Sequence, residues 1–209
     1  VGIGTTGPGQ KLEIAKSGNV VTAITTYSSS VSDGGALYLQ KSDSDTLGTH
    51  SLVDSDDVLG YLIFLGSDGT NYDQAAYITA TVDGTSGAGT DMPGRIQFYT
   101  SPDGSATPAV RMTIKNDGNV GIGTTTPGAK LEVYDGEIKI NRVTQATDYR
   151  QLLFDDAGTN DWAIGLRAGD QKLHFYKSLA TAGDVMVIDT SGNVGIGTTT
   201  PFGLLSVEM

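Results

Sequence analysis

The stretch VGIGTTTP occupies residues 120–127 and again 194–201, and a near copy, VGIGTTGP, occupies residues 1–8. Extended, the second copy reads MTIKNDGNVGIGTTTPGAKLEV (112–133) and the third MVIDTSGNVGIGTTTPFGLLSV (186–207). Each starts as a short apolar strand and meets a turn signal, Asn116-Asp117-Gly118-Asn119 or Thr190-Ser191-Gly192-Asn193, of the kind that supplies positive φ. Val-Gly-Ile-Gly then alternates with the period of a strand, so Val120 and Ile122 share one face and Gly121 and Gly123 the other. The same holds for Val1 and Ile3 with Gly2 and Gly4, and for Val194 and Ile196 with Gly195 and Gly197. Glycine inside a strand marks close approach of another backbone. Pro127 ends the ladder because it has no amide donor. In KLEV, Leu131 and Val133 face one way and Lys130 and Glu132 the other; Leu205 and Val207 repeat the pattern. Residues 17–20, SGNV, echo the turn in degenerate form.

One such unit offers a handful of apolar side chains, too few for a core. Stacked coils of a solenoid would cover it at a fixed short period, but the copies start at 1, 120 and 194. The remaining cover is the same repeat from other chains. The sequence therefore predicts a homo-oligomer with Val1, Ile3, Val120, Ile122, Leu131, Val133, Val194, Ile196, Leu205 and Val207 in a shared core. Gly2, Gly4, Gly121, Gly123, Gly195 and Gly197 are expected where the chains approach.

GNVGIGTTTP followed by a KLEV-like strand resembles the repeat of bacteriophage tail-fibre and tailspike proteins, strongly over 1–14, 112–133 and 186–207 and loosely between. The stretch LGYLIFLGSDGT…DMPGRIQFYTSPDGS…RMTI (59–114) is similar to a domain common in such proteins. The resemblance implies an all-β, intertwined homotrimer whose β-fibre shaft carries small antiparallel β-domains. In that family a self-cleaving intramolecular chaperone often follows the repeat, and none is seen here. With Val1 at the first position of a repeat, the chain reads as a segment of something longer.

Composition agrees with short strands and many turns. Glycine accounts for 29 of 209 residues and hydrophobic residues for 38%. The net charge of −11 repels phosphates and anionic lipid, which argues against nucleic acid and membrane as partners. Cysteine is absent, so there is no disulfide, thiolate metal site or thiol nucleophile. No apolar run approaches the roughly 18 residues of a membrane span, and no signal peptide is visible.

Shaft repeats are assigned to 1–26, 112–140 and 186–209, with inserts between them. Insert 27–111 has candidate strands at Ala36–Gln40, Val58–Leu65, Ala75–Val82, Arg95–Thr100 and Val110–Ile114, separated by Gly-containing turns. This spacing predicts a sandwich-like or barrel-like unit. Insert 141–185 reads as a four-stranded meander, Gln151–Phe154, Trp162–Arg167, Lys172–Lys177 and Asp184–Ile188. At about 45 residues it is near the limit of independent stability, so it too is expected to lean on neighbouring chains.

Chemistry finds little purchase. SDSD (42–45) and DSDD (54–57) offer carboxylates for calcium or glycoside hydrolysis, but neither fits the twelve-residue calcium loop, and solvated acidic loops are the plainer reading. DDAGTND (155–161) reads as a hairpin turn before a calcium site. His50 lies in a polar loop and His174 among apolar strand neighbours, LHFY. No G-x-S-x-G elbow accompanies them, and GTSGAG (84–89) only mimics it. GIGTTTPG lacks the Lys-Ser/Thr of a phosphate loop. No catalytic residue, metal ligand or cofactor is assigned. Tyr27, Tyr61, Tyr77, Tyr99, Trp162 and Tyr176 sit mostly in predicted strands, whereas Tyr72 lies in the loop SDGTNYDQ and is the candidate for stacking on a glycan.

The expected function is thus structural and not enzymatic: a trimeric tail-fibre segment of a virion, acting outside the cell. Its expected partners are two copies of itself and other tail or fibre proteins. A glycan-binding module for host-surface polysaccharide, a capsule depolymerase, and a bacterial or injection-system fibre are the competing readings.

Overall fold

The computed structural model describes residues 1–140, 150–154, 162–166, 170–177 and 183–208. Among these the chain is all-β, with no helix. It divides into two units, Val1–Asp135 and Gly136–Met209.

In the first unit, β1 (Gly2–Ile3) and β2 (Glu13–Ile14) form a small parallel pair. A six-stranded sheet follows: β3 (Val58–Ser67), β4 (Tyr72–Val82), β5 (Gly94–Thr100), β6 (Ala109–Ile114), β7 (Val120–Ile122) and β8 (Leu131–Val133). Sequential neighbours pair antiparallel from β3 to β7, and β8 then lies parallel to β7. The second unit repeats this plan with β9 (Arg150–Phe154), β10 (Trp162–Leu166), β11 (Leu173–Lys177), β12 (Gly183–Ile188), β13 (Val194–Ile196) and β14 (Leu205–Val207). Even the bulge recurs, between Phe98 and Tyr99 and between Phe175 and Tyr176.

The hairpin turns fall where Gly permits them. Gly69, Gly84 and Gly104 have φ of 95°, 143° and 78°. The two repeat turns are alike: Lys115 N–H donates to Asn119 O and Asp189 N–H to Asn193 O, each at 3.0 Å, with Gly118 and Gly192 at φ 77° and 82°. Asp117 holds the Asn119 side chain at 3.1 Å, and Asp189 holds Asn193 at 3.1 Å from a different turn position.

Two differences from the sequence reading follow from pairing. Ala36–Gln40 is not a strand; although Leu37, Tyr38 and Leu39 favour extended backbone, the segment gains no ladder partner. The sheets also run across the segment boundaries drawn above. Strand β6 spans the 111/112 boundary and β12 spans 185/186, so insert and repeat share one sheet rather than forming a separate sandwich beside a shaft. The loop DDAGTND and residue Arg167 lie outside the described residues.

Candidate assembly surface

Parallel strands ordinarily need a crossover of about a dozen residues or more. Here only residues 123–130 join β7 to β8, and the same short arch joins β13 to β14 and β1 to β2. Glycine makes this arch fit. A Cβ on Gly121 would stand 2.6 Å from Thr124 O, on Gly195 2.5 Å from Thr198 O, and on Gly2 2.5 Å from Thr5 O. Gly123 and Gly197 have φ of 76° and 73°, and a Cβ there would stand 2.8 Å from Tyr134 O and 2.7 Å from Glu208 O. Gly4, with φ 77°, meets Ala15 O in the same way. The backbone that comes close within this chain is its own, the arch at Gly2, Gly121 and Gly195 and the residue after the second strand at Gly4, Gly123 and Gly197, where the sequence reading expects a neighbouring chain's.

A latch closes each arch. Gly9 N–H donates to Glu13 Oε2 at 2.6 Å, Gly128 N–H to Glu132 Oε2 at 2.8 Å, and Phe202 N–H to Ser206 Oγ at 3.0 Å. Thr5, Thr124 and Thr198 each accept from the amide two residues on, at 3.2–3.3 Å. The Glu latch escaped the sequence reading, although the identical spacing of Gly9 to Glu13 and Gly128 to Glu132 signals it.

Strand register then sorts the side chains onto two faces. Across the first sheet one row reads Leu62, Ile78, Phe98, Met112, Ile122, Val133. Across the second, the equivalent row reads Leu152, Ile164, Phe175, Met186, Ile196, Val207. The two rows are the same six residue types in the same order. A second apolar row beside the first includes Ile96, Ile114, Val120 and Leu131, matched by Leu173, Ile188, Val194 and Leu205. None of these is buried; Leu62 is 54% exposed, Leu131 59% and Val207 58%.

The opposite face is polar and covered. Its central row in the first sheet reads Thr79, Gln97, Thr113, Gly121, and in the second Gly165, His174, Val187, Gly195, and all eight are buried. Gln97 donates to Thr113 Oγ1 at 3.3 Å and accepts from Tyr99 OH at 3.1 Å. Arg95 bridges Asp56 at 2.7 Å and Asp83 at 3.2 Å. Burial disfavours the charge on Asp83, but the Asn116 amide and Arg95 outweigh it and hold the carboxyl below the usual range. His174, fully buried, has Nδ1 at 3.0 Å from Asp184 and Nε2 at 3.0 Å from Asp170. The arches fold over this face, since Thr124 and Pro127 lie against Gly121.

Val120, Ile122, Leu131, Val133, Val194, Ile196, Leu205 and Val207 thus belong to larger apolar faces that the described chain leaves open, whereas Val1 and Ile3 lie at the separate β1–β2 pair.

The other candidates lie at separate places in the fold. Lys41 bridges the two acidic loops, to Asp43 at 2.7 Å and Asp57 at 2.6 Å. The Asp57 carboxyl is held low by Lys41 and by the Asp54 amide. Among the described residues no three His, Cys, Asp or Glu are placed to hold a metal ion. Ser86 of GTSGAG is buried with its hydroxyl donating to Val53 O at 2.6 Å. His50 lines a groove of about 510 Å³ with Leu39, Lys41, Leu52 and Met92. Tyr72 opens β4, opposite Ser67, with its ring 76% exposed.

No family model matches the chain, and no curated protein matches it. Among solved structures, it is similar to the carboxy-terminal domain of the bacteriophage T5 L-shaped tail fibre, with a TM-score of 0.45 and 10% identity over 88% of this chain and 93% of that one. It is also similar to the same T5 domain with its intramolecular chaperone domain, with a TM-score of 0.42 and 11% identity over 88% of this chain. Of that longer chain it spans 64%.

Proposed function

We propose that this chain is a structural segment of a homotrimeric fibre of the phage-tail type, which holds host-attachment elements away from a virion. The observation that carries the reading is the pair of open apolar rows, Leu-Ile-Phe-Met-Ile-Val in each sheet. Each of these side chains gains about 1.5–3 kcal/mol on full burial, and obligate interfaces bury 2,000–5,000 Å² or more. Copies of the same chain are the cover that both sheets need equally. The number three comes from the resemblance of the GNVGIGTTTP repeat to tail-fibre shafts.

The mechanism is mechanical. Apolar faces are buried between chains around a shared axis, while arches and polar networks face out. The product is stiff and multivalent, and multivalency turns weak single-site contacts into firm attachment. Other tail or fibre proteins are its neighbours along the fibre. A bacterial or injection-system fibre would use the same physics. A second reading, contact with host-surface polysaccharide, is favoured by the exposed ring of Tyr72 at a hairpin end.

Light scattering on the purified chain, before and after mild heating in detergent, tests the reading. A trimer that survives detergent is expected. A well-folded monomer overturns it.

A further inference from the structure

Residues 20–39, VVTAITTYSSSVSDGGALYL, are the least expected surface on this molecule. They carry one charge, Asp33, in a chain that is 18% charged. Val21, Ile24, Tyr27, Val31, Leu37 and Tyr38 all stand exposed, Tyr27 by 96% and Val31 fully. Among the described residues, no backbone–backbone hydrogen bond involves residues 16–45. Yet the segment has a shape. The Ile24 carbonyl lies against Gly35, where a Cβ would stand 2.6 Å from it, and Ser28 Oγ donates to Asp33 at 2.6 Å. The segment is therefore a folded-back arm with Asp33 near its tip and its two apolar limbs side by side.

The arm is fastened at its base. Leu39 packs on Gly60, and Lys41 pairs with Asp57 at 2.6 Å. Gly60 and its cross-strand partner Ala80 belong to the apolar face of the β3–β8 sheet, at the β3 edge. The arm leaves from the rim of the very face that lacks a cover, and does not close over it.

We infer that the arm of residues 20–39 packs onto the apolar face of the β3–β8 sheet of a second copy of this chain. The inference rests on the self-association proposed above and adds which segment makes the contact. Both surfaces present exposed apolar side chains in the same chain, and the arm's one charge, Asp33, lies near its tip, away from the limbs. Size agrees: six strands span about 24 Å across the ladder, and a limb of eight extended residues reaches about 26 Å. The folded-back shape also matters. A single extended limb on a sheet face would bury unpaired amides, whereas two limbs already held side by side by the Ile24–Gly35 approach can pair with each other as they dock. Each copy gives one arm and receives one.

The absence of cysteine makes the test clean. Leu37→Cys is refolded together with a differently tagged chain carrying Ile96→Cys, Ile122→Cys or Leu131→Cys, and a short bismaleimide is added. Covalent pairs with one tag of each kind are expected for at least one of the three face positions. If none forms while the mixture keeps its oligomeric mass, the arm inference fails and self-association stands. A monomeric mass defeats both. Tyr38→Asp gives a second readout that needs no cross-link. Tyr38 is 79% exposed, so the variant should fold normally and raise the concentration at which the assembly dissociates by tenfold or more. An unchanged dissociation concentration overturns the arm contact.

Discussion

The two sheets differ on the face that the chain covers and agree on the face that it leaves open. Leu62, Ile78, Phe98, Met112, Ile122 and Val133 have identical counterparts in Leu152, Ile164, Phe175, Met186, Ile196 and Val207. On the covered face, Thr79 gives way to Gly165, Gln97 to His174, Thr113 to Val187 and Glu132 to Ser206. Glycine stays at Gly121 and Gly195, where the arch lies too close for a Cβ, and Tyr99 keeps its counterpart in Tyr176 beside the shared bulge. A chain that works alone would show the reverse. Its buried positions would be the repeated ones, and its exposed ones would drift. The repetition of the open face is what the proposed self-association requires.

The comparison breaks most sharply at two adjacent residues of β5. Phe98→Asp places a charge on the open row, and a buried unpaired charge costs about 3 kcal/mol or more. Sedimentation should show the assembly lost while circular dichroism keeps its strand signal. Gln97→Ala, on the covered face, should do the opposite. It removes the bond to Thr113 and costs about 1 kcal/mol of chain stability in denaturant melts, with the oligomeric mass kept. If both variants behave alike, the division of the faces is wrong.

The next largest effect concerns the arches. Gly195→Ala drives a methyl group to 2.5 Å from Thr198 O, which should cost about 1–3 kcal/mol in thermal unfolding. Gly203→Ala, with open space around it, is the control and should be near neutral.

The smallest effect is acid sensitivity of the third-repeat turn. The Asn193 amide, with the Asn193 side chain and Ser191 amide, holds the Asp189 carboxyl below its usual range. The folded carboxyl binds a proton less readily than the unfolded one. Its contribution is therefore full above about pH 4 and is lost as pH falls through the lowered folded value. Asp189→Asn should flatten the melting temperature over that window. The second repeat carries Lys115 at the matching position and relies on Asp117 instead.

Much of this was legible before any coordinates. Eight of the nine strands marked in the inserts appear with ends shifted by a few residues, because alternating apolar runs bounded by Gly turns leave few other options. The exception, Ala36–Gln40, shows the limit: propensity marks a strand, but a strand also needs a partner. The repeat was read correctly as two short strands, yet not as a parallel pair, since nothing in VGIGTTTPGAKLEV states that residues 123–130 suffice for the crossover. The glycines signalled a close backbone without saying whose. The open rows were hidden because each draws its six members from six strands, and only register aligns them. One clue was available: IQFY (96–99) and LHFY (173–176) extend the repeat upstream, and they mark the second sheet as a copy of the first.

Methionine provides the most direct measurement. Met112 and Met186 lie at matching positions in the two open rows, whereas Met92 stands in a loop, 53% exposed. Limited peroxide oxidation of the intact protein, followed by peptide mass spectrometry, compares their rates. If copies of the chain cover the open faces, Met92 oxidises readily and Met112 and Met186 are protected together, losing that protection when Phe98→Asp dissociates the assembly. If Met112 and Met186 oxidise as fast as Met92 in the intact protein, the faces are open to water and the account is contradicted.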